Sequence, residues 1–198
     1  MVRYLASIVE GHGEVEALPA LLHRIAHSIT FKGVLRVNPP IRVKSGSFLN
    51  DQDYFRRHVT LATAKVAETG GSVLILLDCE DHCPGALGPV LLQRAQAVRA
   101  NVNIFVALAY REYETWFVAA ARSLRGRRGL PQDLDPPQIA DGIRDAKGWL
   151  SARMNAAYDP VIHQLEFTKE FDLKEARANR SFDRLYCRIR SFLGDNGA

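Results

Sequence analysis

Val73-Leu74-Ile75-Leu76-Leu77 is an apolar run with no polar interruption. A strand with one wet face alternates apolar and polar side chains, so a run without alternation needs cover on both faces, the condition of a strand inside a parallel sheet. The run stops at Asp78-Cys79-Glu80-Asp81 and leaves the core directly into carboxylates. Two other segments have the same form. Leu5 to Val9 ends at Glu10-Gly11-His12-Gly13, a glycine-punctuated stop. Val102 to Ala109 is followed by Arg111-Glu112-Tyr113-Glu114.

Helical patterns fill the intervals. Val15, Leu18, Leu21, Leu22, Ile25 and Ile29 recur at steps of three and four. Asp51 to Thr69 reads as a second helix with Phe55, Val59, Ala62 and Val66 inward, closed by Gly70-Gly71. Leu35 to Val37 and Ile41 to Val43 are short β-prone pieces around Pro39-Pro40, and a loop at Pro84 to Pro89 leads into a helix reaching Arg99. Alternating strands and helices predict an α/β fold, a doubly wound, mainly parallel sheet with flanking helices and right-handed crossovers. Trp116, Phe117 and Ala120 are expected in the core. Gly126 to Pro137, rich in Arg, Gly, Pro and Asp, reads as a mobile loop or boundary, and Ile139 to Leu193 carries only helical signals. The expected organisation is an α/β core over residues 1–125 and a helical C-terminal extension over residues 126–198 packed on it, together one domain.

With 198 residues, 47% of them hydrophobic, the chain can bury a sizeable core. It has no run of roughly 18 apolar residues and no hydrophobic leader pattern, which predicts a cytoplasmic protein without membrane contact. Cys79, Cys83 and Cys187 are then expected as reduced thiols. A net charge of +4 is compatible with a polyanionic partner.

In an open parallel sheet, ligands bind in the crevice beyond the carboxyl ends of the strands. Those ends here carry Glu10, with Glu14 one helical turn further, then Asp78 and Glu80, then Glu112 and Glu114. Converging carboxylates raise one another's pKa unless a cation neutralises them. Mg²⁺, or Mn²⁺, suits such a donor set, because it takes hard oxygen ligands and needs only one or two direct carboxylates. Cys79, His82 and Cys83 lack the paired spacing of a structural zinc site. Gly11 and Gly13 imitate part of a dinucleotide fingerprint, but Glu16 stands where its third glycine belongs and no Gly-Lys-Ser/Thr follows.

Ile8-Val9-Glu10-Gly11-His12-Gly13-Glu14 resembles the Glu-Gly-x-x-Glu signature of the Toprim fold, shared by topoisomerases, primases, OLD-family nucleases and RecR-like proteins. Leu76-Leu77-Asp78-Cys79-Glu80 is similar to that fold's Asp-x-Asp motif, with Glu in the third position. The whole chain resembles an uncharacterised bacterial Toprim-like family near the nuclease branch. Arg111-Glu112-Tyr113-Glu114-Thr115-Trp116-Phe117, Ala146-Lys147-Gly148-Trp149-Leu150 and Ser181-Phe182-Asp183-Arg184-Leu185 carry that likeness. The resemblance implies Mg²⁺-dependent cleavage of nucleic-acid phosphodiesters, in phage defence or DNA repair. Glu10 would be general acid/base or metal ligand, Asp78 and Glu80 metal ligands, Glu14 and Glu114 further ligands, and Lys169 a late lysine supporting the transition state.

Each residue also has an ordinary reading. Glu14, Glu112 and Glu114 suit helix starts for dipole reasons, and Lys147 and Lys169 suit a wetted surface. The arginines at 122, 125, 127 and 128 could hold a nucleic-acid backbone or form a solvated face. The alternative function is a non-catalytic Toprim-like module binding nucleic acid or protein, as a homodimer or with a partner. A phosphoacceptor receiver domain shares the sheet topology, but the first strand ends in one Glu rather than an acidic pair.

Overall fold

The uninterrupted run lies at the centre of a parallel sheet. The computed structural model describes residues 1–194. Its elements are β1 (Val2–Val9), α1 (His12–Ser28), β2 (Val34–Val37), β3 (Ile41–Arg42), α2 (Ser45–Asn50), α3 (Gln52–Ala64), β4 (Ser72–Asp78), α4 (Pro84–Val98) and β5 (Asn103–Ala109). The helices α5 (Thr115–Ala119), α6 (Ala146–Ser151), α7 (Pro160–Glu170), α8 (Leu173–Ala176) and α9 (Arg180–Leu193) follow.

The sheet runs β2-β1-β4-β5, every pairing parallel, and β3 also pairs with β1. Successive residues of β4 point to opposite faces. Leu74 and Leu76 join the cluster containing Leu18 and Leu21 of α1, Trp116 of α5, Phe167 of α7 and Phe182 of α9. Val73, Ile75 and Leu77 join Phe55 and Val59 of α3 and Leu91 of α4. Both faces are therefore covered, which is why the run needs no polar position. Each such side chain, fully buried, contributes about 1.5–3 kcal/mol of transfer free energy.

β2 and β3 behave as one edge strand with a break. β2 pairs with Val2 to Leu5 and β3 with Ile8 and Val9, and the register advances by one residue between them. Pro39 and Pro40 fall in the gap, where they withhold two ladder donors at an edge that tolerates the loss. From β1 the chain goes outward to β2, then crosses back over to β4 on the far side. The switch point of the topology is therefore between β1 and β4, the position where an open sheet leaves a crevice.

Two local expectations change and one helix is added. The helix expected over residues 51–69 is shorter: Asp51 caps α3 by accepting the Asp53 and Tyr54 N–H groups, α3 ends at Ala64, and a 3-10 turn at Ala67–Thr69 leads to Gly70 with φ +62°. A separate helix, α2, precedes it. The segment expected as a loop at Pro84 to Pro89 is the start of α4, with Pro84 in the first turn, where a missing N–H costs nothing.

The later helices lie on the face that α1 covers. Arg24 of α1 donates to the Thr168 and Phe171 carbonyls at 2.6 and 2.7 Å. Gly13 permits the close approach of α1 to α7, since a Cβ there would collide with the Pro160 carbonyl and the Gln164 side chain. Ser181 of α9 accepts from Trp116 Nε1 at 2.9 Å and from the Tyr110 N–H just past β5 at 3.0 Å. Residues 126–137 form no helix or strand, yet Arg127 and Arg128 tie them to Glu166 and Glu170 of α7. No helix among the described residues is long and apolar enough to cross a membrane.

Candidate functional site

Glu10 follows β1, Asp78 ends β4, and Glu112 and Glu114 follow β5, so three adjacent parallel strands deliver acids to one edge. Asp78 Oδ1 accepts the Tyr113 N–H at 2.9 Å, which binds the β4 terminus to the segment after β5. Glu14 folds back at the start of α1, and its Oε2 accepts the N–H groups of Glu10 and Gly11 at 3.0 and 3.1 Å. The helix-start role of Glu14 is thus realised, and the same geometry holds it beside Glu10.

Glu112 Oε2 accepts the N–H groups of Ala146 and Lys147 at 3.1 and 3.2 Å and so fixes the beginning of α6. That contact brings in a side chain the strand-end pattern does not reveal. Lys147 Nζ stands 3.0 Å from Glu114 Oε2, 3.6 Å from Glu112 Oε1 and 4.0 Å from Asp78 Oδ2. Glu114 Oε1 accepts from the Tyr158 hydroxyl at 3.1 Å. Its Oε2 has the short Lys147 contact but no well-directed hydrogen bond. Glu10 Oε2 is buried and has no hydrogen-bond partner among the described residues.

The electrostatics follow from burial. Glu14 and Glu114 are 4% and 1% exposed. Burial lifts the Glu14 pKa to about 7, with Glu114 and Glu10 adding to the rise and the two backbone amides opposing it. Asp78 is raised well above its ordinary value, first by burial and then by Glu14 and Glu114, while Lys147 opposes. Glu10 and Glu114 are raised too, again chiefly by burial. For Lys147 burial works against the charge, but Glu114, Asp78 and Glu112 more than offset it, so its pKa rises. These groups sense one another, and the cluster as a whole has more negative than positive charge.

Strained backbone marks the same edge. Glu80 and Arg111 adopt φ +45° and +64°, and the Glu80 N–H donates to the Arg111 carbonyl at 3.0 Å. Left-handed geometry at a residue with a Cβ costs about 1 kcal/mol or more. The two loops leaving β4 and β5 are thus clasped in a conformation that their sequences alone would not choose. Cys79 is buried beneath, its sulfur accepting the Arg111 N–H at 3.3 Å, while His82 and Cys83 are exposed.

Of the residues expected from sequence, Glu10, Glu14, Asp78 and Glu114 share this site, and Glu80 lies exposed at its rim. Lys169 is elsewhere. It sits on the outer side of α7, half exposed, paired with Glu166 at 2.8 Å. The lysine at the carboxylates is Lys147. Its signal was the segment Ala146 to Leu150, but nothing in a short helix far along the chain says that Glu112 anchors it.

A hard divalent ion can be tested against this donor set. Every converging acid offers oxygen, Glu10 Oε2 lacks a partner, and the raised pKa values report unneutralised charge. Among the described residues no group of three or more His, Cys, Asp or Glu side chains is arranged to enclose a metal. Lys147 stands among the acids instead. Mg²⁺ needs only one or two direct carboxylates, so the set fits a partly hydrated ion.

The model of the family described as Domain of unknown function (DUF4276) matches residues 9–190. The chain belongs to that family. The DUF4276 match opens one residue before Glu10 and spans every acid of the cluster together with Lys147 and Tyr158. No curated protein and no solved structure matches the chain.

Proposed function

We propose that the protein is a Toprim-like, Mg²⁺-dependent phosphodiesterase acting on nucleic acid, a nuclease. The observation that carries this reading is the convergence of the buried Glu14 and Glu114 with the half-buried Glu10 and Asp78 at the switch point of a parallel sheet, with pKa values raised by burial and mutual repulsion. Glu10 and Asp78, with Glu80 at the rim, would hold the ion. When bound, Mg²⁺ would neutralise charge on the phosphate undergoing cleavage.

The chain's own groups supply the rest. Glu10, raised and with a free buried oxygen, is placed to take or give a proton at Oε2. The Tyr113 N–H fixes the orientation of Asp78. Lys147 keeps a positive charge beside Asp78 and Glu114, and the Tyr158 hydroxyl steadies Glu114. Glu14 acts through backbone amides to set the turn that carries Glu10.

One observation favours a second reading, a non-catalytic binding module: Lys147 already provides a cation among the acids. Cleavage assays separate the two. Plasmid, single-stranded DNA and RNA are incubated with wild type, Glu10→Gln and Asp78→Asn in Mg²⁺ or Mn²⁺. The nuclease reading expects metal-dependent cutting that both variants lose; cutting by neither wild type nor variant, with metal still bound, supports the module.

A further inference from the structure

We propose that the cavity beside Glu10 is a phosphate-holding subsite, in which Arg42 and Lys44 grip the backbone of a single-stranded nucleic acid next to the bond to be cut. This rests on the reading of the carboxylate cluster as a phosphodiester site and adds the substrate class to it.

The cavity, about 590 Å³, is lined by Glu10 and Glu80 on one side and by Arg42, Lys44 and Ser45 from the end of β3 on the other. β3 pairs directly with β1, Arg42 in register with Val9, so the cationic strand end adjoins the acid-bearing one. Neighbouring strands lie about 4.8 Å apart. Glu10 therefore stands between two charge environments: Asp78 and its partners toward β4, and two cations toward β3. Ser45 lines the cavity together with Glu10.

Several cations elsewhere on the surface are already engaged. Arg127 and Arg128 pair with Glu166 and Glu170, and Arg94 donates to Leu49 and Gln52 while lying over Phe55. Arg42 and Lys44 are exposed, and among the described residues neither enters an ion pair. Unpaired cations in a concavity that shares Glu10 with a candidate phosphodiester site fit a flanking phosphate, which carries one negative charge and offers acceptor oxygens only. The volume is that of a small-ligand site and takes a single nucleotide unit. A duplex, with a major groove about 12 Å wide between its backbones, calls for a broader cationic surface than this one edge.

The test uses the full chain bearing Asp78→Asn, which keeps a labelled oligonucleotide intact. Fluorescence anisotropy measures binding of a single-stranded 12-mer and its duplex from low to moderate salt, with and without Arg42→Ala and Lys44→Ala. Expected are tighter binding of the single strand, about a tenfold loss in the double variant, and a salt-dependence slope smaller by about 0.7 for each lost contact. The far-UV circular dichroism and melting temperature of the double variant match those of its parent and show that the fold is intact. Equal affinity and slope with and without Arg42 and Lys44, preference for duplex, or no oligonucleotide binding at any salt would each overturn the subsite. Binding with these signatures but no cleavage by the wild-type chain would uphold the subsite and defeat the nuclease reading.

Discussion

On α7, Glu166 and Glu170 face Arg127, Arg128 and Lys169 at the surface, and at the strand ends Glu10, Glu14, Asp78, Glu112 and Glu114 face Lys147. In the surface group three cations meet two acids, and there the Lys169 hydrogen bond lowers the Glu166 pKa. At the strand ends acids outnumber cations and burial dominates, so the carboxylates rise. Both clusters are built from carboxylates and cations. What differs is solvent and the balance of charge, and together they turn one set into ordinary ion pairs and the other into a store of unneutralised charge that a cation or a proton would relieve.

Four experiments can break this contrast. The largest effect is on activity: Asp78→Asn should reduce metal-dependent cleavage about a thousandfold or more, since a charge-stabilising site supplies several kcal/mol, whereas Glu166→Gln should leave the rate unchanged. Single-turnover cleavage rates measure both.

Next is pH. Glu14 is raised from 4.5 to about 7, so the folded chain holds that proton more tightly than the unfolded chain does. Its contribution to stability is fully present below pH 4.5 and is lost as pH rises through 7, a change on the order of 3 kcal/mol. Urea melts without metal should show stability falling between pH 5 and pH 8, and Glu14→Gln, which keeps an acceptor for the backbone amides, should remove Glu14's share of that slope while the raised Asp78, Glu10 and Glu114 keep the rest. Saturating Mg²⁺ should recover stability at pH 8.

Lys147→Met removes the cation from three acids. Losing one partner of a buried pair costs about 3–5 kcal/mol, and discounting for a lysine 37% exposed leaves about 2 kcal/mol at pH 8. The loss should shrink at pH 5, which differential scanning calorimetry at the two values would reveal. A cost independent of pH would mean that Lys147 matters through packing rather than charge. The smallest effect belongs to Lys169→Ala, for which melting temperature and cleavage rate should match wild type within error.

The apolar runs made the sheet legible, because a strand covered on both faces has no room for polar positions, and the acids ending those runs are the ones that converge in the carboxylate cluster. Strand order was not legible, and with it the switch point between β1 and β4, since it depends on where α3 returns the chain. Lys147 was hidden because its place depends on Glu112 accepting two α6 amides. Lys169 misled for a related reason: its spacing from Glu166, three residues along a helix, already described a surface pair. Pro84 to Pro89 suggested a loop because composition does not separate a proline in a helix's first turn from one in a turn.

The most direct test is calorimetric titration of Mn²⁺ and Mg²⁺ into wild type, Glu10→Gln and Asp78→Asn at pH 8, repeated at pH 6. The cluster read as a cation site predicts binding by wild type that weakens at pH 6, where protons compete for the raised carboxylates, and at least tenfold weaker binding in each variant. Wild-type binding that is absent at both pH values, or equal in all three chains, would contradict it.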